Sequence, residues 1–287
     1  MTLPVVLVHG IRLSGRCWVA VEADIGTERS VAAPDLPGHG EYRGERFTMP
    51  AAIDTVRAAI DSVGGRALVV GHSLGGYVAI AAAAELGEQV AGLVVAGSTR
   101  IPNGALTIPF RVAHLVLSAQ RDGGERLSRR IFDAALPAQV AAAVAAGGIA
   151  TEVIPDIVRA AATFDPLGEL RRYPGPVWLI NGSRDHFRGH ETRFVAAAPR
   201  ARLLVVPGAG HYLPLAEPRR FARLIRDIAD GCDTRECSHR CGIDGVRAPA
   251  PPASYRPDCG RTARWLRNSV DTAAAAPTME SLKIDMP

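Results

Sequence analysis

The stretch that decides the fold reads Ala67-Leu68-Val69-Val70-Gly71-His72-Ser73-Leu74-Gly75-Gly76-Tyr77-Val78-Ala79-Ile80-Ala81. It begins as an apolar run, passes through a G-x-S-x-G pattern at residues 71–75, and continues as a helix-forming segment. This order predicts a strand, a tight turn with a strained serine, and a helix whose N-terminus lies beside the Ser73 hydroxyl. Free N–H groups there favour a developing anion. We therefore expect Ser73 to be a nucleophile, the alternative being an ordinary helix-capping serine in a glycine-rich turn.

Short apolar runs alternate with helix-like segments along most of the chain. Strands are predicted at 3–8, 30–33, 67–70, 92–96, 177–180 and 202–206, and helices at 50–63, 74–86, 191–198 and 218–230. Continuous apolar strands of this kind are typical of a parallel sheet that is buried on both faces. The sequence therefore predicts an α/β fold with a doubly wound, mostly parallel sheet of about six strands.

Two regions depart from this alternation. Residues 101–164 show helical segments and no strand signal, and one helix opens at Pro137, where a missing N–H costs nothing. Such an insertion predicts a lid over the carboxyl ends of the strands, although it could instead only lengthen the core. Residues 232–287 lack a periodic apolar face, which predicts a disordered tail. The expected domains are a core of residues 1–100 and 165–231, a lid of residues 101–164, and this tail.

Composition limits the class of protein. The chain has 287 residues, 47% of them hydrophobic, which is enough for one large domain with its own core. The formal charge of +4 comes from scattered arginines, with Lys283 the only lysine, so no basic stripe favours nucleic-acid binding. The first residues lack the pattern of a signal peptide, and no apolar stretch reaches the roughly 20 residues of a membrane-spanning helix. We expect a soluble, cytoplasmic protein of undetermined oligomeric state.

A serine hydroxyl is a poor nucleophile unless a base activates it and a third group orients that base. His211 follows the strand predicted at 202–206, and Asp185 follows the strand predicted at 177–180. The chain order Ser73, Asp185, His211 is one of the known orders of a catalytic triad. Asp165 is the runner-up for the acid, although it lies before a strand rather than after one. Asp35 also competes, but it precedes the serine in the chain.

These motifs together resemble those of the α/β-hydrolase superfamily, in its esterase, lipase and perhydrolase-like group. The resemblance covers about residues 3–230. It includes Val8-His9-Gly10 after the first strand and Asp35-Leu36-Pro37-Gly38-His39-Gly40 after the second. It implies that the N–H groups of Ile11 and Leu74 form the oxyanion hole. Many members begin with an antiparallel hairpin that this chain lacks, which predicts a six-stranded sheet with one shortened edge, as in plant methylesterases and hydroxynitrile lyases.

The remaining candidates receive weaker roles. His9 and His39 sit in glycine-flanked turns and are expected to shape loops, and His72 is expected to be structural. Aliphatic residues of the predicted lid suggest an apolar chamber for a small hydrophobic acyl substrate, with Phe110 and His114 as candidate lining residues. The chemistry needs no metal and no organic cofactor. In the tail, Cys232, Cys237, His239 and Cys241 lack the paired C-x₂-C spacing of a zinc site, so they are interpreted as incidental.

Three functions remain open at this stage. The leading hypothesis is hydrolysis of an ester or related acyl bond through an acyl-enzyme on Ser73, as in carboxylesterases. The first alternative uses the same triad for C–C or cyanohydrin cleavage, or for perhydrolase chemistry. The second alternative is a receptor that binds a ligand under the lid and turns it over rarely or never.

Overall fold

The protein is described by a computed structural model that covers residues 2–102 and 104–240. Its six strands are β1 (Val5–Val8), β2 (Val31–Ala32), β3 (Ala67–His72), β4 (Val90–Ala96), β5 (Val177–Gly182) and β6 (Ala201–Val206). They form one sheet in the order β2-β1-β3-β4-β5-β6, and every neighbouring pair is parallel. The order runs outward from β1 in both directions, so the sheet is doubly wound, which confirms the predicted fold class.

Helices cover both faces of this sheet. They are α1 (Val19–Ile25), α2 (Met49–Ser62), α3 (Leu74–Leu86), α4 (Gly104–Ser118), α5 (Glu125–Ala135), α6 (Ala138–Gly147), α7 (Ile154–Thr163), α8 (Pro166–Arg172), α9 (Glu191–Ala197), α10 (Leu213–Ala216) and α11 (Pro218–Arg240). Side chains alternate along each strand, so Val6 and Val69 pack with α2, α3, α8 and α9, while Val5 and Val70 pack with α1, α6 and α11. Each face therefore has its own apolar core.

The strands differ in length from the sequence prediction. The edge strand β2 has two residues where four were predicted, whereas β3 and β5 each run two residues further than predicted. The extra residues are Gly71, His72, Asn181 and Gly182, and three of these four are glycine or asparagine, which have low strand propensity. They are nevertheless extended because their neighbours in the sheet supply hydrogen-bond partners, a tertiary effect that local sequence does not show.

The segment between β4 and β5 is helical, as predicted, and contains α4 to α8. Its helices occupy two different parts of the molecule. Val140, Ala141 and Val144 of α6 are buried in the core on the α1 side of the sheet, whereas α4 and α7 contact each other at the carboxyl ends of the strands. Helix α6 is therefore part of the core, as in the alternative interpretation of the insertion, and the lid stays a prediction for the remaining helices.

Helix α11 continues to Arg240, beyond the predicted end at residue 230. Cys232 is buried against the core, and the carboxylate of Asp233 accepts a hydrogen bond from the Leu3 N–H at 2.8 Å. Arg29, which is almost fully buried, forms ion pairs with both Asp230 and Asp233. Apart from Cys232, the contacts described for the extension are polar, which explains why a search for apolar periodicity missed it. The predicted tail beyond residue 240 lies outside the described residues.

Candidate active site

The Ser73 turn joins β3 directly to α3. Ser73 has φ of 55° and ψ of −118°, a left-handed conformation that a non-glycine residue adopts only under constraint. The constraint is visible, because the Ser73 N–H donates to the Ala96 carbonyl at 2.9 Å and the Ser98 hydroxyl donates to the Ser73 carbonyl at 2.7 Å. Residue 75 must be glycine because the turn packs directly against β1: a Cβ at this position would lie 2.2 Å from the Val8 carbonyl oxygen.

The loops after β5 and β6 bring Asp185 and His211 to Ser73. His211 Nε2 lies 3.1 Å from Ser73 Oγ, and His211 Nδ1 lies 3.1 Å from each carboxylate oxygen of Asp185. With a proton on Nδ1, the imidazole donates to Asp185 and accepts from the serine hydroxyl. The structure therefore brings the three predicted residues into one continuous chain of hydrogen bonds.

Asp185 is held as a carboxylate. Its side chain is buried, and burial alone would raise its pKa. The hydrogen bond from His211 and the 2.8 Å bond from the Phe187 N–H outweigh that cost, so the pKa of Asp185 lies below its ordinary value. An ionised acid at this point stabilises the Nδ1–H tautomer of His211, the tautomer in which Nε2 is free to accept a proton.

The two competing carboxylates have other partners. Asp165 is the N-cap of α8 and accepts a hydrogen bond from the Leu167 N–H at 3.1 Å. Asp35 accepts from the N–H groups of Gly15 at 2.6 Å and Glu41 at 2.8 Å, which fixes the loop after β2. Of the three candidate acids, the structure places Asp185 alone against His211.

Ile11 and Leu74 both lie next to Ser73. Leu74 is the first residue of α3, and the turn that carries Ile11 passes close to the nucleophile, because a Cβ on Gly10 would lie 3.3 Å from Ser73 Cβ. Within residues 2–102 and 104–240, neither N–H donates to a protein acceptor. An oxyanion site needs at least two hydrogen-bond donors next to the nucleophile, and these two N–H groups meet that requirement.

A small apolar cavity opens onto Ser73. Its volume is about 70 Å³, and it is lined by Ile11, Ser73, Leu74, Tyr77, Pro102, Phe110, Ile157, Val158, Ala161 and Phe187. The predicted lining residue Phe110 is among them. His114 is not: its Nδ1 lies 3.3 Å from the Thr151 carbonyl oxygen. Sequence reasoning missed the contribution of α7, although the spacing of Ile157, Val158 and Ala161 places them on one side of that helix.

Three further histidines are buried around the site and remain neutral. His9 accepts a hydrogen bond from the Leu36 N–H, and His39 accepts one from the Arg12 N–H. His72 Nε2 lies 2.9 Å from the carbonyl oxygen of His211 and donates to it. Burial lowers the pKa of His39 to about 4 and that of His72 to about 3, and it lowers the pKa of His9 well below its usual range. These contacts fit the loop-shaping roles that were expected from sequence.

A larger groove of about 740 Å³ lies beside the edge strand β2, between α2 and the turn at residues 15–16. Asp35, Tyr42 and Asp54 are among its lining residues, but Ser73, Asp185 and His211 are not. It is therefore separate from the hydrogen-bonded chain described above. The small cavity, not the large groove, is the space in which a group attached to Ser73 would lie.

Two other features bear on function. In the part of the chain that the structure describes, no helix is long and apolar enough to cross a membrane. Among the same residues, no cluster of three or more histidines, cysteines and carboxylates is arranged to hold a metal ion. The side chains of Cys237 and His239, and all of Cys241 and Cys259, lie outside the description. The cytoplasmic location stays a prediction.

Known proteins share both the sequence pattern and the fold. A profile of the alpha/beta hydrolase family matches residues 5–224. The chain is similar to an uncharacterised protein of Mycobacterium tuberculosis, at 27% identity over 81% of this chain and 76% of that protein. It is similar to a pimeloyl-(acyl-carrier protein) methyl ester esterase of Aromatoleum aromaticum, at 29% identity over 79% of this chain and 98% of the other.

Solved structures agree with the sequence comparison. An esterase from Thermogutta terrifontis superposes with a TM-score of 0.66 at 24% identity, covering 80% of this chain and 90% of its own. A carboxylesterase structure from Nitrososphaera gargenis is also similar, with a TM-score of 0.69 at 19% identity, covering 82% of this chain and 92% of its own. Together with the matching profile, these similarities confirm the predicted fold family: the chain belongs to the alpha/beta hydrolase family.

Proposed function

We propose that this protein is a serine hydrolase that cleaves an ester or related acyl bond of a small hydrophobic substrate. The observation that carries the proposal is the unbroken sequence of contacts from Ser73 Oγ to His211 Nε2 and from His211 Nδ1 to Asp185, each at 3.1 Å. Relatives named as esterases support a hydrolase that acts on ester bonds. The geometry lies within the range in which a base can take a proton from a serine hydroxyl.

The reaction begins when Ser73 Oγ attacks the carbonyl carbon and His211 Nε2 takes the hydroxyl proton. Asp185 stabilises the resulting imidazolium without itself taking a proton. The negative charge that develops on the carbonyl oxygen is stabilised by the N–H groups of Ile11 and Leu74. Loss of one such donor typically slows acyl transfer by about 10²–10³.

The tetrahedral intermediate then breaks down. The bond to the alcohol breaks, His211 returns its proton to the leaving oxygen, and the acyl group remains on Ser73. Water attacks this acyl-enzyme, and His211 now takes the proton of the water. A second tetrahedral intermediate releases the carboxylic acid and restores the serine.

The cavity beside Ser73 sets the expected acyl group. Its lining is apolar apart from Ser73 and Tyr77, and Phe110, Ile157, Val158 and Ala161 of the insertion form one of its walls. A volume of about 70 Å³ favours a short acyl chain over a bulky one. We propose that residues 101–164 act as the lid of the site in this sense, with α4 and α7 as the parts that contact the substrate.

Covalent labelling tests the proposal. A fluorophosphonate probe should form one adduct, located at Ser73 by peptide mass analysis, because its phosphorus is attacked as a carbonyl would be. The Ser73→Ala variant should not be labelled, whereas Ser62→Ala, which removes an exposed serine at the end of α2, should be labelled as the wild type is. Butanoate esters should be hydrolysed by the wild type and not by Ser73→Ala. Absence of the adduct in folded protein would contradict the proposal.

A further inference from the structure

Two loops form a rigid rim at the mouth of the cavity. They are residues 97–102, which follow β4, and residues 185–190, which follow β5. The His190 N–H donates to the Thr99 carbonyl at 2.9 Å, and the Ile101 N–H donates to His190 Nδ1 at 3.0 Å. The Tyr77 hydroxyl donates to the Arg100 carbonyl at 2.6 Å. These bonds fix the backbone of both loops, and with it the positions from which their side chains extend.

Arg100 is the exposed cation of this rim. Its Nη1 donates to the carbonyl oxygen of His186 at 3.0 Å, and the rest of its side chain passes Gly189. Among the residues that the structure describes, no carboxylate lies within ion-pair distance of Arg100. A guanidinium stays charged at any working pH and has several N–H groups to offer, of which one is used here.

The nearby carboxylates have other partners. Asp185 is bonded to His211 and to the Phe187 N–H, and Glu191 is bonded to Asn181 and Arg188. The charge of Arg100 is thus not balanced by its own loop. An anion brought by a ligand would be the natural partner of such a group.

His186 brings this rim close to His211. Its ring is 5.3 Å from the ring of His211, the residue that returns a proton to the leaving oxygen, and 4.5 Å from the ring of Phe187. It is not among the residues that line the acyl cavity. Burial and the neighbouring His211 lower the pKa of His186, so at neutral pH its ring serves mainly as an uncharged hydrogen-bonding group.

We infer that Arg100 and His186 form an anion-binding rim, and that the preferred substrate is an ester whose alcohol part carries a carboxylate. The inference rests on the proposed function and adds the chemical class of the leaving group. The apolar cavity takes the acyl chain, while the leaving group extends past His211 toward Arg100. Arg100 supplies the charge that attracts the carboxylate, and His186 supplies a hydrogen bond. Both are specificity residues in this account and take no part in bond cleavage.

Two matched substrates test the inference. They are 4-carboxyphenyl butanoate and 4-carbamoylphenyl butanoate, which share the acyl group and differ in the charge of the leaving group. The wild type should have the higher kcat/KM for the carboxylate ester. Arg100→Met should lower that value about three- to five-fold, the upper range for an exposed charge pair, and leave the neutral ester within two-fold. His186→Gln should give a smaller loss, and Arg100→Lys should retain most of the preference.

Controls separate this inference from the hydrolase proposal. Arg202→Met removes the same charge from an exposed residue of the edge strand β6 and should leave both substrates unchanged. Labelling of Ser73 by the phosphonate shows whether each variant has a working triad. If the wild type hydrolyses the neutral ester but shows no preference for the carboxylate, or if the preference survives in Arg100→Met, the rim is wrong and the hydrolase stands. If neither ester is hydrolysed, both proposals fall.

Discussion

The loops at the carboxyl ends of the strands and the helical insertion above them are built in different ways. Ser73, Asp185 and His211 are each tied to neighbouring loops by hydrogen bonds, and Asp185 is 3% exposed. On α4, in contrast, Phe110 lines the cavity while Leu115 is 68% exposed and Ile108 is 56% exposed. The loops can fix reacting atoms in place because their polar groups are paired. The insertion supplies apolar surface to the cavity, and in the proposed function this surface limits the size of the acyl group without fixing any reacting atom.

Substitution of the acids should give the largest difference between these regions. Asp185→Asn should lower kcat for butanoate esters by about 10⁴, because an amide supports the wrong tautomer of His211. Asp165→Asn, at the junction of the insertion and α8, should keep kcat within two-fold, since asparagine also caps helices. Steady-state kinetics on both variants measures the contrast. Equal losses of kcat in the two variants would mean that Asp185 does not orient His211 for catalysis.

The buried histidines around the loops predict a pH dependence of stability. His72 has a folded pKa of about 3, against about 6.5 in an unfolded chain. Between these values the unfolded state binds more protons, so the free energy of unfolding rises with pH in that window and falls as the pH drops below 6.5. The loss is about 1.4 kcal/mol per pH unit for each such histidine.

Urea unfolding at pH 8 and pH 5 measures this dependence. His72→Gln keeps an N–H donor for the His211 carbonyl but cannot take up a proton. Its free energy of unfolding should therefore fall less between the two pH values than that of the wild type. A variant curve that falls as steeply as the wild-type curve would show that His72 does not stay neutral in the folded protein.

A third region, the end of α11, tests where the folded unit stops. The sequence places the boundary at residue 232, whereas Cys232 and Asp233 contact the body of the protein. Removal of residues 241–287 should leave the melting temperature nearly unchanged. Removal of residues 232–287 should lower it by about 5 °C, or roughly 2 kcal/mol, because Arg29 then loses one of its two acidic partners in a buried position. Equal melting temperatures would return the boundary to residue 232.

The two faces of α4 give the smallest predicted effect. Phe110→Ala should lower kcat/KM for a butanoate ester about ten-fold, because the acyl group of the substrate then loses its contact with one aromatic ring. Leu115→Ala, on the exposed side of the same helix, should stay within two-fold. Both variants should melt within a few degrees of the wild type. If Leu115→Ala is the more damaging change, the orientation of α4 over the cavity is wrong.

Much of this arrangement could be predicted from the sequence, for reasons that are local. The apolar strands and the Gly71 to Gly75 turn have strong short-range signals, and the loops that follow strands necessarily meet at one edge of a parallel sheet. That rule favoured Asp185 and His211 over the other candidates, although it left Asp165 open as the acid. Their separation from Ser73 in the chain, 112 and 138 residues, did not obscure it.

The rest depended on contacts between distant segments. Helix α11 extends past residue 230 because Asp233 reaches Leu3 and Arg29, which no local pattern reveals. The lining from Ile157 and Val158 depends on how α7 is placed over the sheet, and His114 faces Thr151 for the same reason. The rim at Arg100 required knowledge of which carboxylates are already paired. Such features follow from tertiary packing and become visible only in the structure.

The central claim is that Ser73 and His211 work as one unit, and a double-variant cycle tests it most directly. Single-turnover kinetics should be measured for Ser73→Ala, His211→Ala and the variant that carries both changes, with one butanoate ester. Each single change should lower the rate by about 10⁴ or more. The double variant should be no slower than either single variant, because each change alone already abolishes the step in which the two residues act together. Independent, multiplying losses, or substantial turnover by His211→Ala, would contradict the account.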